Sequence, residues 1–285
     1  MNNEFYIGWM PKAPAGFSKH IKKALLLLLP VVVIISIILA LLQKRFDTGN
    51  FEYGKLTQVK GIYFSKPVPM IKIINGKDIW GHISYITMPL VGYGKHGAEG
   101  IINGIEKEKN VSLNEKEIVL KGTLLYNDGK TILQVNDAEQ PLISFSNKTI
   151  DAGLEPIKTE LGIKKIKGEI IDPKCYFGVM KPGEGKVHRD CAIRCILGGI
   201  PPMMHVRNEK GESNYYILVG PNGKKMNKEV QDYVAEPIEL ETELVQYDDW
   251  IVMYVKDMKS CARISSLSLL KPNDVAISCG SNCMK

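Results

Sequence analysis

Residues 24–42, ALLLLLPVVVIISIILALL, form one uncharged apolar run. Backbone inside hydrocarbon must satisfy its own N–H and C=O groups, so a lone segment of this kind can only be an α-helix. At about 1.5 Å per residue the run reaches roughly 28 Å, close to a bilayer core of about 30 Å. The stretch reads as a transmembrane helix. A cleaved signal peptide has a shorter apolar core and a small-x-small cleavage site, whereas Leu41-Leu42-Gln43-Lys44-Arg45 follows here. Pro30, in the first third, can kink the helix without preventing insertion.

Lysines 12, 19, 22 and 23 before the run are matched by Lys44, Arg45, Lys55 and Lys60 after it, so the positive-inside comparison is a tie. A short cationic tail ahead of a long body is expected to stay in the cytoplasm. Residues 1–23 are therefore the expected cytoplasmic tail, residues 24–42 the anchor, and the remainder an exported body. The tail carries Phe5-Tyr6-Ile7-Gly8-Trp9, which suits an interfacial contact or a partner's groove. The net charge of +6 is scattered, with no run of five basic residues and no aromatic interleaving, so nucleic acid is not an expected partner.

Beyond the anchor the pattern becomes short β-type runs between turn residues. Leu56–Phe64, Met70–Ile74, Glu117–Tyr126 and Thr131–Val135 read as strands, the last two as a hairpin across Asn127-Asp128-Gly129. Ile166–Ile171, Met203–Val206, Tyr215–Gly220, Ile238–Gln246 and Trp250–Val255 repeat the scheme. Leu120, Leu124, Asp128, Ile132 and Val135 match Leu240, Leu244, Asp248, Val252 and Val255 at a spacing of 120 residues. Lys60-Gly61 and Lys167-Gly168 open the two units at a spacing of 107, and a helix over Met226–Ala235 would supply most of the extra residues. Aligning His96–Ile105 with His188–Ile200 sets Glu99 and Asn103 against Cys191 and Cys195. That makes the first unit a spacer or docking barrel and gives the thiol chemistry to the second alone.

A five-stranded barrel with one helix is the OB economy of parts. The expected fold is mainly β: one transmembrane helix, then two tandem OB-like barrels, residues 46–150 without cysteines and residues 160–257 with them. Residues 258–285 form a cysteine-containing tail.

The chemistry concentrates in Cys175-x12-His188-x2-Cys191-x3-Cys195, followed by Gly198-Gly199-Ile200-Pro201-Pro202. If 188–197 is helical, His188, Cys191 and Cys195 share one stripe. His188 and Cys195 would then lie about 10.5 Å apart along the axis, near the limit for sharing one ion. Cys191 and Cys195 with Cys175, completed by His188 or an outside group, make the easier set. All four are candidate ligands for zinc, iron or copper. The same thiols could instead form a disulfide from Cys175 to Cys191 or Cys195, stabilising by roughly 3 kcal/mol through loop closure. Thiol–disulfide exchange is the third reading, weakened by the absence of Cys-x-x-Cys.

His20, His82, His96 and His205 read as surface or hydrogen-bonded histidines. Gly183-Glu184-Gly185-Lys186 lacks phosphate-loop spacing and reads as a turn, and Asp248 and Asp249 read as turn residues. Cys261, Cys279 and Cys283 form a second thiol group, with a disulfide preferred there to a metal.

The run Gly168-Glu169-Ile170-Ile171-Asp172-Pro173-Lys174-Cys175, with His188-x-x-Cys191-Ala192-x-x-Cys195-Ile196 and Gly198-Gly199-Ile200-Pro201-Pro202, resembles a motif of poorly characterised bacterial membrane-anchored proteins. The resemblance covers residues 165–255 well and the tail and anchor loosely. It implies a single-pass bacterial inner-membrane architecture and no reaction, and the exported body is then expected in the periplasm. The expected function is an accessory or binding module rather than an enzyme, holding a metal in support of a membrane redox complex and meeting protein partners there. The alternatives are a disulfide-stapled interaction module with no cofactor and a thiol-exchange enzyme.

Overall fold

The computed structural model describes residues 15–42, 49–77, 81, 83–136, 140–149, 154–207, 212–266 and 269. The segment Phe5–Trp9, His82, Cys279 and Cys283 lie outside the described residues. The chain divides into two compact units, Met1–Phe46 and Asp47–Lys285.

In the first unit the helix α1 runs over Ala15–Leu42 and continues through Pro30. It starts earlier than the apolar run, so Lys19, Lys22 and Lys23 belong to its first turns. Ser18–Leu42 is long and apolar enough to cross a membrane, and none of it is buried against the protein.

The second unit holds two closed five-stranded barrels. In the first, β2 (Thr57–Phe64), β3 (Met70–Lys77), β4 (Ile83–Val91), β5 (Lys116–Asn127) and β6 (Lys130–Val135) follow the chain order β2-β3-β4-α2-β5-β6, with α2 at Glu99–Lys109. β2 pairs β3 and β5, β3 pairs β4, β4 runs parallel to β6, and β6 pairs β5, which closes the ring. Short β1 (Asn50–Phe51) and β7 (Leu142–Thr149) add to β5. The second barrel repeats the scheme with β8 (Lys158–Ile171), β9 (Met203–Arg207), β10 (Ser213–Val219), β11 (Pro237–Tyr247) and β12 (Trp250–Tyr254). Here β10 is parallel to β12 and all other neighbours are antiparallel. β13 (Ala262–Arg263) ties the start of the C-terminal segment to β11.

The 120-residue repeat is the closing hairpin. Both tips bend through an Asp in the left-handed region, Asp128 at φ 45° and Asp248 at φ 50°, as a tight hairpin requires. The 107-residue repeat is a close approach. A Cβ on Gly61 would lie 2.4 Å from the Lys72 carbonyl oxygen, and one on Gly168 would lie 2.4 Å from that of His205.

Two expectations need correction. α2 lies between the third and fourth strands of its barrel. The cysteine-bearing helix α3 (Arg189–Leu197) lies between the first and second strands of the other. The two His-led segments are therefore not equivalent, and Glu99 and Asn103 do not correspond to Cys191 and Cys195. The place of α2 in the second barrel falls to Met226–Ala235, which is no continuous α-helix and holds only a short 3-10 turn over Gln231–Tyr233. Val230 N–H closes one turn on Met226, but Val234 bridges to Ile170 and Ala235 N–H donates to the Ile170 carbonyl at 3.0 Å. The edge of β8 takes the backbone bonds that a helix would have needed.

Each barrel has its own apolar interior, and a third core joins them. Ile62, Phe64, Met70 and Leu125 of the first pack with Ile171, Phe177, Met203, Ile217 and Trp250 of the second, and Cys175 and Cys195 belong to this shared core.

Candidate functional site

The site grows from one long connection, residues 172–202, which joins β8 to β9 where the first barrel uses only residues 65–69. β8 ends in apolar Ile170-Ile171, and Asp172 follows, fully buried. One Asp172 oxygen accepts the Lys174 N–H at 2.9 Å, and its carbonyl accepts the Tyr176 N–H at 3.0 Å. A single wide helical turn, Cys175–Val179, then aims the Cys175 thiol inward. Gly178 within it, at a φ of 148°, lies against the backbone of Asn50 and Phe51. His188 stands at the N-terminal boundary of α3, with its carbonyl accepting the Ala192 N–H. Cys191 and Cys195 follow on the same face at helical spacing.

Two donor groups result. Ligating atoms of Cys175, His188 and Cys191 lie within 4.8 Å of one another, and so do those of Asp172, Cys175 and Cys195. Cys175 is common to both. The four residues expected from sequence are thus gathered, but His188 and Cys195 fall in different groups, as their axial separation on one helix requires. Such groups, within reach of one another, could hold a metal.

Two buried polar atoms here have no hydrogen-bond partner: Asp172 Oδ2 and His188 Nε2. Leaving such an atom unsatisfied costs about 1–3 kcal/mol. Burial pulls the His188 imidazole below its ordinary pKa, with the Asp172 charge opposing and the Lys95 ammonium reinforcing that shift. The neutral ring is the ligating form. The Cys175 thiol is pushed far up by its bond with Cys195, by burial and by the Asp172 charge. A bound cation reverses that logic and deprotonates a coordinating thiol.

The first barrel is not a bystander. Lys95 Nζ, from the loop between β4 and α2, sits 3.3 Å from Cys191 Sγ, and that contact raises the lysine pKa. Buried Lys174 donates to the carbonyls of Gly92 and Gly94 at 2.8 and 2.7 Å. Gly97 N–H donates to the Gly198 carbonyl at 3.1 Å. A Cβ on Gly198 would lie 1.8 Å from the Lys95 carbonyl oxygen, and one on Gly97 2.1 Å from that of Gly199. The Gly-Gly after Cys195 therefore lets the Lys95–Gly97 backbone of the first barrel approach the end of α3 closely. The thiols and His188 all belong to the second barrel, and the first contributes Lys95 and the loop packed against Gly198-Gly199.

Cys175, Cys191, Cys195 and Cys261 all carry free thiols, so the alternative bridge from Cys175 to Cys191 or Cys195 is not formed. The Cys261 thiol is raised to about 11, chiefly by burial. His205 is a buried, fully bonded histidine. Its Nδ1 is 3.1 Å from Glu184, and its Nε2 is 2.9 Å from Ser213 Oγ and 3.3 Å from the Tyr176 hydroxyl. Asp172 and Lys95 were not anticipated. A carboxylate ending a buried strand three residues before a cysteine is the sequence signal for the first, and nothing local signals the second. No family model and no curated protein matches the chain.

Proposed function

We propose that the protein is a membrane-anchored metal-binding module, with α1 as the anchor and the barrel seam as the metal centre. The observation that carries this reading is that two residues grouped with free thiols each keep an orphaned buried polar atom, His188 Nε2 and Asp172 Oδ2. Cys175, His188, Cys191 and Cys195 are the proposed ligands, joined by Asp172. A mixed sulfur, nitrogen and oxygen set suits zinc first, with iron or copper accepted by the same donors. Lys95 contributes a charged hydrogen bond to a ligand sulfur, the kind of outer contact that tunes a metal.

In this reading the anchor is N-in at a bacterial inner membrane, the barrels are exported, and the module serves a membrane redox complex through protein partners. The test is metal content by mass spectrometry of the full chain, extracted in detergent without a metal-affinity column. Near-stoichiometric metal that is lost in Cys191→Ser supports the centre. A metal-free wild-type chain overturns it.

One observation favours a second reading. Cys191 is the half-buried thiol of the cluster, with an ammonium at 3.3 Å and Cys195 one turn away. In thiol exchange the Cys191 thiolate would attack a partner disulfide, releasing one partner thiolate, and Cys195 would then displace the second to leave a Cys191–Cys195 bridge. A mixed disulfide trapped by Cys195→Ser would support it, and failure to trap one would sink it.

A further inference from the structure

We infer that the seam holds two metal ions bridged by the Cys175 thiolate, one bound with His188 and Cys191, the other with Asp172 and Cys195. This rests on the metal reading above and deepens it.

The first argument is geometric. The donors form two groups that share only Cys175, each with its ligating atoms within 4.8 Å of one another. A sulfur about 2.3 Å from each of two ions suits the separation of about 3.5–4 Å typical of two-metal sites.

The second argument counts orphans. One residue of each group carries an unpartnered buried atom, Nε2 of His188 in the first and Oδ2 of Asp172 in the second. His188 is 4% exposed and Asp172 is 0% exposed, so water does not satisfy them from outside. An ion seated in either group would leave the other group's orphan in place, whereas two ions satisfy both.

The third argument is charge. The donors, when ligating, comprise three thiolates and one carboxylate. A single dication would leave buried negative charge uncompensated or hold two thiols protonated, and uncompensated buried charge is costly. Lys174 offers no relief, since its ammonium is bound to the Gly92 and Gly94 carbonyls. Lys95 touches Cys191 alone among the thiols by a direct contact. Two dications bring the donor set to neutrality.

With Cys175 shared, each ion has three protein ligands. That is the open form of a zinc site, in which a fourth position accepts water or an incoming ligand. A closed, four-ligand structural site would have no such position. The bridged pair is therefore suited to receiving an exogenous donor at the seam.

The experiment loads the full chain in detergent with zinc, dialyses it, and counts zinc per chain by mass spectrometry. Cobalt(II) loading followed by electron paramagnetic resonance then reports coupling between the ions. Two zinc ions per wild-type chain, falling to one in Asp172→Asn, together with a cobalt signal diminished by coupling, are expected. One zinc per wild-type chain, unchanged in Asp172→Asn, overturns the second ion and leaves a single-metal centre standing. Two uncoupled cobalt ions overturn the bridge. No zinc overturns both this inference and the reading beneath it. The wild-type count decides without depending on how any variant folds.

Discussion

The two barrels use equivalent positions for different ends. Leu90 pairs with Leu133 in the first, and in the second Leu218 pairs with Met253, the residue 120 positions beyond Leu133. Thr87 therefore corresponds to Tyr215. Their cross-strand partners, Lys72 and His205, correspond too, and the next pair across is Ile62 and Glu169. Each barrel offers its third-strand residue to the other's hairpin tip. Tyr215 donates to Asp128 at 2.6 Å, and Thr87 donates to Asp248 at 3.1 Å. The exchange is reciprocal in geometry but not in burial. Lys72 and Asp248, 2.9 Å apart, have side chains only 2% and 9% exposed, whereas Asp128 is exposed. Barrel one spends its equivalent positions on locking the seam. Barrel two gives two of them, His205 and Glu169, to the long 172–202 connection that carries the thiols, with Glu184 of that connection on His205 and Gly185 N–H on Glu169.

That comparison breaks most visibly at Asp248. Removing it leaves the buried Lys72 ammonium with the Glu155 carbonyl at 3.1 Å and the face of Tyr85 at 4.7 Å, and loses the Thr87 and Ile157 bonds as well. Asp248→Ala is expected to destabilise by about 3–5 kcal/mol, the cost of leaving one partner of a buried pair uncompensated. Urea unfolding of the full chain in detergent checks it. A loss under 1 kcal/mol would mean that the seam does not depend on this pair.

The closing hairpins were legible because their signals are local: alternating strands and an Asp tip that tolerates the left-handed region. β4 was not, since Pro89 argues against a strand. Pro89 is accommodated because its neighbour Leu90 donates to the Pro69 carbonyl at 2.8 Å. The helical spacing of Met226, Val230 and Val234 did mark buried positions, all under 6% exposed. Their backbone was claimed by β8, a tertiary preference that a window of sequence does not contain. The thiols and His188 stood out by density alone. Lys95 did not, because its place beside Cys191 depends on how two barrels meet, and Gly198-Gly199 showed no purpose until that meeting was seen.

Glu169 sharpens the comparison through pH, since barrel one has Ile62 at the equivalent place. Burial is the largest cause of a Glu169 pKa near 7, with Glu184 and Glu236 adding to it, and the Gly185 N–H and Arg207 opposing it. His205, its cross-strand neighbour, faces Glu184. A carboxyl raised above its unfolded value holds its proton more tightly when folded. Its contribution is therefore present at low pH and is lost as pH rises from about 4.5 to about 7. Between pH 5 and pH 7.5 this amounts to about 2 kcal/mol. Urea midpoints of wild type and Glu169→Gln at the two pH values check it: the wild type should lose more stability on the alkaline side. Parallel slopes would remove Glu169 as the titrating group.

The smallest effect belongs to the other half of the reciprocal exchange. Tyr215→Phe removes the hydroxyl that donates to Asp128 while keeping the ring, which is 2% exposed and packs against Phe177 and His205 at centroid distances of 4.8 and 5.5 Å. Asp128, being exposed, recovers water when the bond is lost, so no buried charge is stranded. The cost should be about 0.5–1.5 kcal/mol, the net value of an ordinary hydrogen bond. The same urea titration that reads Asp248→Ala reads this variant beside it. If the two losses came out equal, the seam would be symmetric in energy as well as in geometry, and burial would not explain why the buried ion pair belongs to one barrel's tip alone.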